Sequence, residues 1–224
     1  MKTLLWKDIR LNSMIIVYAL ITTVGLFFAM AVVNKIVEWR TGFCIQSWSM
    51  LFGSAALLSL ILQLVTITLL GACAFAPERA DRTAEFMAYM PVSRGQVILS
   101  KIILSLMIFA FIGLWDIGTV YLVDSGKGVE NGNSFSKVAL MFSSMSLCIF
   151  SCSWFVSTMS QSHGLAAAVG ILVPIGCIGI LLTITHLMGW SEDWLNHGMP
   201  IMLLSLGFVG FTAGVRYYLW RVEP

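Results

Sequence analysis

The apolar positions of this chain come in long, nearly uncharged blocks, each about as long as a helix needs to be to cross a bilayer. A helix rises about 1.5 Å per residue, so roughly 20 apolar residues bridge about 30 Å of hydrocarbon. Six blocks meet that length. They are Ser13 to Val33, about Ser47 to Ala74 within the charge-free stretch Thr41 to Pro77, Ile102 to Val123 with Asp116 as its interruption, Val138 to Ser160, Leu165 to Leu187, and Met199 to Val215. The pattern predicts an all-α, polytopic integral membrane protein with six transmembrane helices. The connections are short, the longest running from Phe75 to about Leu99. No independent globular unit fits there. Residues 1–224 therefore read as a single transmembrane domain, with an interfacial segment at 1–12 and one substantial loop at 75–100.

Composition agrees. Hydrophobic residues make up 58% of the chain and charged ones 11%, against the roughly 25% charge of soluble domains. Such a chain cannot cover a core with polar surface, so lipid must serve as its solvent. The expected surroundings are a membrane, with no nucleic-acid partner. The cysteines lie mostly inside apolar runs and show no zinc-type spacing; Cys148 and Cys152 share a helix face but have no nearby His or carboxylate. Packing accounts for them, and no metal is expected. Lys2, Lys7 and Arg10 precede an apolar run ending in Ala29-Met30-Ala31, which resembles a signal-peptidase site. The run exceeds a usual signal core and five more spans follow, so a retained first helix is the reading. Within Met1 to Arg10, Leu4, Leu5 and Ile9 fall on one side and the bases elsewhere. This suits either a short amphipathic helix on the membrane surface or a polar tail that fixes orientation.

Charge orients the spans. An even number of crossings puts both termini on one side, and that side collects Lys2, Lys7, Arg10, Arg79, Arg82, Arg94, Lys101, Arg216 and Arg221, nine of the thirteen basic residues. Lys35, Arg40, Lys127 and Lys137 fall on the other. The positive-inside rule then makes both termini and the loop from Arg79 to Arg94 cytoplasmic. Trp6, Trp39, Trp48, Trp190, Trp194 and Trp220 fall near the expected interfaces, where amphipathic rings are favoured, while Trp115 and Trp154 sit deeper.

The cytoplasmic loop reads Phe75-Ala-Pro-Glu-Arg-Ala-Asp-Arg-Thr-Ala-Glu-Phe-Met-Ala-Tyr-Met-Pro-Val-Ser-Arg94. From Arg82 to Met90 its pattern is helical: Phe86 and Met90 stack at i, i+4, and Arg82 can pair with Glu85 at i, i+3. Pro91 ends that helix because it lacks an amide hydrogen and biases the residue before it away from helical geometry. Ser93 is placed to cap the next helix, which begins near Arg94. A short helix, a rigid break and a new helix start form an object that can press on a partner without deforming. On composition alone, the same helix could equally lie on lipid.

Glu78-Arg79, then Arg82-Thr83-Ala84-Glu85-Phe86, then Met90-Pro91-Val92-Ser93-Arg94 and finally Lys101 resemble the cytoplasmic loop of ABC-2 type transporter permeases. There an acidic-basic pair, a following Thr, an apolar stretch and a Pro-Val-Ser-Arg element recur between the second and third of six spans. The resemblance implies that Glu78, Arg79, Arg82, Thr83, Glu85, Phe86, Pro91, Val92, Ser93 and Arg94 form a coupling element that docks on a cytoplasmic ATP-binding subunit. It also implies a second permease copy, identical or similar, and a place in the cell membrane. The sequence contains no G-x-x-x-x-G-K-[ST] phosphate cradle. ATP and Mg are accordingly expected on the partner, no cofactor on this chain, and no catalysis by it.

Inside the spans, Asp116 is costly at membrane depth unless paired, hydrated or protonated. It is a candidate contact on a translocation pathway or a structural hydrogen bond. Pro174 interrupts the fifth span and is a candidate hinge. Gly210 and Gly214 form a GxxxG pattern, and Ala166 with Gly170 a similar one, which permits close helix packing within the subunit or between subunits. His163, His186 and His197 are too scattered to meet as one metal site. The leading expectation is an ABC exporter permease with an unidentified substrate. The alternatives are an integral membrane enzyme, for which no Ser/His dyad, H-E-x-x-H helix or paired carboxylates can be found, and an accessory or scaffold protein.

Overall fold

The computed structural model describes residues 2–41, 48–80, 93–125, 132–189, 194 and 198–221. Among those residues it is helical apart from short turns, with no strand, and six helices are long and apolar enough to cross a membrane. A short helix, α1 (Lys2–Leu11), precedes the first span and ends at a turn on Asn12. The first span runs through α2 (Ser13–Leu20), a π-helical turn at Ile21–Gly25 and α3 (Leu26–Thr41). In the π turn, the Thr22 hydroxyl donates to the carbonyls of Tyr18 and Ala19, and that of Thr23 to Ala19. Side-chain competition of this kind widens a helix locally. The helix continues beyond Val33, the end expected from hydropathy, and there Lys35 pairs with Glu38 at 2.8 Å on an exposed face.

The second span, α4 (Trp48–Ala72), turns at Cys73–Phe75 into the five-residue helix α5 (Ala76–Ala80). Pro77 lies in its first turn, where a missing amide hydrogen costs nothing. The remaining spans are α6 (Arg94–Ser125), α7 (Gly132–Met159), α8 (His163–Met188) and α9 (Met199–Arg221). At 32 residues α6 is roughly 48 Å long, more than the hydrocarbon requires. Ser162 caps α8 by accepting from the Leu165 amide, and left-handed Gly189 (φ 62°) closes its far end. Pro174 is buried within α8, which stays helical on both sides of it.

The fourth span, α7, is the central post. Its neighbours approach it through glycine. A Cβ at Gly71 of α4 would lie 2.8 Å from both the Phe150 carbonyl oxygen and Ser153 Cβ, and one at Gly170 of α8 would lie 2.8 Å from Ser153 Cβ. On α9, added Cβ atoms would meet Cys148 Cα at 3.3 Å from Gly207 and Trp154 Cδ1 at 2.8 Å from Gly214. Gly210 has more room, 3.6 Å from Ser151 Cβ. The GxxxG pair thus packs against α7 of the same chain. Absent side chains bring the backbones close, and dispersion does the work that the hydrophobic effect cannot do in lipid. Several hydroxyls in the spans are satisfied along their own helices: those of Ser144, Ser146, Ser151 and Ser157 donate to carbonyls three or four residues back, whereas that of Ser153, buried at the glycine contacts, has no partner among the described residues. Toward the end of the bundle near α1, Trp154 is fully buried among Phe75, Phe150 and Phe211, with ring centroids 4.9 to 5.6 Å away.

Candidate coupling site

Along α1, Leu5, Asp8, Ile9 and Asn12 recur at i, i+3, i+4 and i+7, so one face of the helix carries them all. Leu5 and Ile9 pack against the main core at the base of the bundle. That packing turns Asp8 inward, onto the start of α6. The Ser100 hydroxyl donates to one Asp8 carboxylate oxygen at 2.7 Å, and Lys101 Nζ stands 3.4 Å from the other. Lys101 also reaches Glu78 Oε1 of α5 at 3.0 Å, and the same oxygen accepts from Lys7 Nζ at 2.8 Å. Beneath the cluster, the Phe75 ring centroid lies 5.2 Å from Lys101 Nζ. The side chains of Asp8, Glu78 and Lys101 are 3%, 5% and 5% exposed, and that of Lys7 is 34% exposed.

Among the described residues, two cations and two carboxylates meet here, and their opposite charges let three of them be buried. A buried ion pair adds little net stability, since desolvation consumes most of the Coulombic gain, but removing one partner leaves a charge stranded at about 3–5 kcal/mol. The cluster fixes position more than it adds stability. It ties together α1, the start of the loop at Glu78 and the start of the third span at Lys101.

The helix start at α6 is equally defined. The Ser93 hydroxyl accepts from the Gln96 amide at 3.4 Å and the Gln96 side-chain oxygen accepts from the Ser93 amide at 3.3 Å, a reciprocal capping box. Arg94 is exposed, its Nη1 donating to the Leu219 carbonyl of α9 at 3.5 Å.

One of the residues expected to contact a partner is turned inward, and most of the others are outside the described residues. Glu78, read from the sequence as a docking charge, faces inward because Lys101 and Lys7 claim its carboxylate. The N-terminal segment, read as interfacial, packs its apolar stripe on the bundle. Arg82, Thr83, Glu85, Phe86, Pro91 and Val92 lie outside the described residues, as does the side chain of Arg79. Asp116 belongs to α6, its side chain also outside the description; it stands 22 residues beyond Arg94, roughly 33 Å along the helix, so it shares no site with the loop. Beside it, Trp115 packs edge-on against Phe27 of the first span at 5.8 Å. Trp115 Nε1 and, further along that span, Asn34 Nδ2 are buried with no hydrogen-bond partner among the described residues.

Asp8 played no part in the expectation from sequence. The signal was there: a carboxylate on the apolar face of an amphipathic helix calls for a buried cation.

A family model described as ABC-2 family transporter protein matches residues 5–186. The chain belongs to that family. No curated protein and no solved structure matches it. The matched segment opens within α1 and takes in the charge cluster, the loop and the first five spans, with α9 beyond its end. Membership makes this an ABC-2 transport protein of the membrane, a permease and not itself a catalyst. At this end of the bundle the two roots of the loop are pinned to each other and to α1.

Proposed function

We propose that this chain is the permease subunit of an ABC exporter, driven by ATP hydrolysed with Mg on a separate cytoplasmic subunit that docks on residues 79–94. The observation that carries the reading is the closure of the loop at its base. Glu78 enters the loop and Lys101 follows it, and their ion pair at 3.0 Å joins the two roots. A push on a loop closed in this way passes into α4 and α6 instead of being lost in slack chain. The Ser93–Gln96 box supports this by making the loop's second root a rigid helix start. Arg79, Arg82 and Glu85 would supply charge complementarity, and Phe86 an apolar anchor for a cleft.

In this reading the protein sits in the cell membrane with both termini and the charge cluster cytoplasmic, as the basic residues favour. A second copy or a similar subunit completes the transporter. The fifth span, least covered of the six at 17%, is a natural face for it. Asp116 contacts the translocation pathway, and Pro174 is the hinge of α8. Replacing Arg82 and Phe86 together by Ala should leave membrane insertion and the buried cluster intact while abolishing transport and substrate-stimulated ATP hydrolysis by the reconstituted complex. Full transport by that variant would overturn the coupling role.

A further inference from the structure

A groove of about 820 Å³ lies between α6 and α9, floored by α7. Ile102 and Phe109 form one wall, Leu204 and Phe208 the other, and Leu147 and Phe150 the floor. Three serines also line it, but the hydroxyls of Ser105, Ser151 and Ser205 donate to the carbonyls of Lys101, Leu147 and Met202 on their own helices. Nothing in the groove therefore asks for a polar ligand. Its rim is open to the bilayer, with Leu106 and Phe208 exposed.

One end of the groove is marked by charge. Arg94 meets the Leu219 carbonyl where α6 and α9 come together, and Arg216, three residues before Leu219, lies with its guanidinium 4.8 Å from the centroid of the Trp220 ring. Both arginines are exposed, and neither has a carboxylate partner among the described residues. Measured from this crossing, the groove lies at matching depths on both helices. Ile102 and Phe109 are 8 and 15 residues from Arg94, and Phe211 and Leu204 are 8 and 15 from Leu219, in each case about 12 and 22 Å. A leaflet with its headgroups is roughly 20–22 Å deep. A molecule with its head at the arginines and its chain in the groove would be one leaflet long.

We propose that this groove binds an anionic phospholipid, its phosphate held by Arg94 and Arg216 and an acyl chain laid between α6 and α9. Guanidinium forks suit phosphate oxygens, a stacked aromatic at the same level suits the headgroup boundary, and basic clefts between spans on the cytoplasmic side are where acidic lipid heads bind. Arg94 also closes the proposed docking segment, but the test reads lipid binding by the purified chain alone and so does not depend on transport or on the ATP-binding subunit.

The test is native mass spectrometry of the delipidated, detergent-purified protein titrated with phosphatidylglycerol or phosphatidylcholine. The native protein should hold one phosphatidylglycerol in preference to phosphatidylcholine. Each basic side chain near an acidic head contributes about fivefold in affinity, so Arg94→Gln with Arg216→Gln should weaken phosphatidylglycerol by well over tenfold and leave phosphatidylcholine unchanged. Ser205→Phe fills the groove and should remove the bound lipid while leaving the arginines in place; Leu204→Trp fills it from an adjoining position should the first variant fold poorly. Equal retention of the two lipids would overturn the proposal. So would full retention of phosphatidylglycerol with the groove filled, or a filled-groove variant whose only change is loss of a second protein copy.

Discussion

The seam between α7 and α9 and the seam joining α6 to α1 and α5 are held by different physics. The first is made of absences: Gly207 brings the backbone close against Cys148, where a methyl group would fit only tightly, and Gly214 against Trp154 and Phe155, where it would not fit without a shift. The second is made of charges, with Lys101 shared between Asp8 and Glu78, and Glu78 shared between Lys101 and Lys7. Close packing is short-ranged, and a gap of 0.5–1 Å forfeits a quarter to a half of the contact energy. Ion pairs fall off more gradually, as the inverse of distance. The glycine seam is therefore suited to a fixed frame, and the charged seam to a joint that stays paired while it shifts.

The largest expected effect is at the charged seam. Lys101→Met takes from Asp8 and Glu78 the buried cation they share, and should destabilise the folded protein by about 3–5 kcal/mol. The measurement is thermal unfolding in detergent, together with protease cutting near Asn12 that reports release of α1. Unaltered unfolding and an uncut α1 would mean that the cluster is incidental. Next comes Gly214→Ala, whose methyl would lie 2.8 Å from Trp154 Cδ1 and 3.2 Å from the Phe155 Cα. It should cost about 1–3 kcal/mol as overpacking. The smallest effect belongs to Gly210→Ala, whose methyl meets Ser151 at ordinary contact distance. Its unfolding should match the parent closely, and equal losses at the two glycines would erase the contrast between a tight seam and its looser neighbour.

Much of the frame could be read from the sequence. Block length located the six spans because hydrocarbon thickness dictates it, and the Ser93 cap at the head of α6 followed from local chemistry. The charged seam was legible only in part: Asp8 on the apolar face of α1 called for a buried cation, but the sequence could not say which, for a physical reason. Asp8, Glu78 and Lys101 are far apart in the chain and each is unremarkable near a membrane surface. Only the docking of α1 across the base of α6 makes them partners. Glu78 read as a docking charge because its neighbours in sequence are charged, whereas its neighbours in space are Lys7 and Lys101. The extension of the first span past Val33 was hidden by Lys35 and Glu38, which end a hydropathy window but cancel each other on a helix.

The central claim is that force enters through the loop between Glu78 and Lys101. The most direct test places a photo-crosslinking residue at Phe86 in the intact transporter and identifies what it captures. The account expects capture of the ATP-binding subunit, strengthened or weakened by nucleotide. Capture of lipid alone, or labelling of that position by a reagent confined to the outside of the cell, would contradict it.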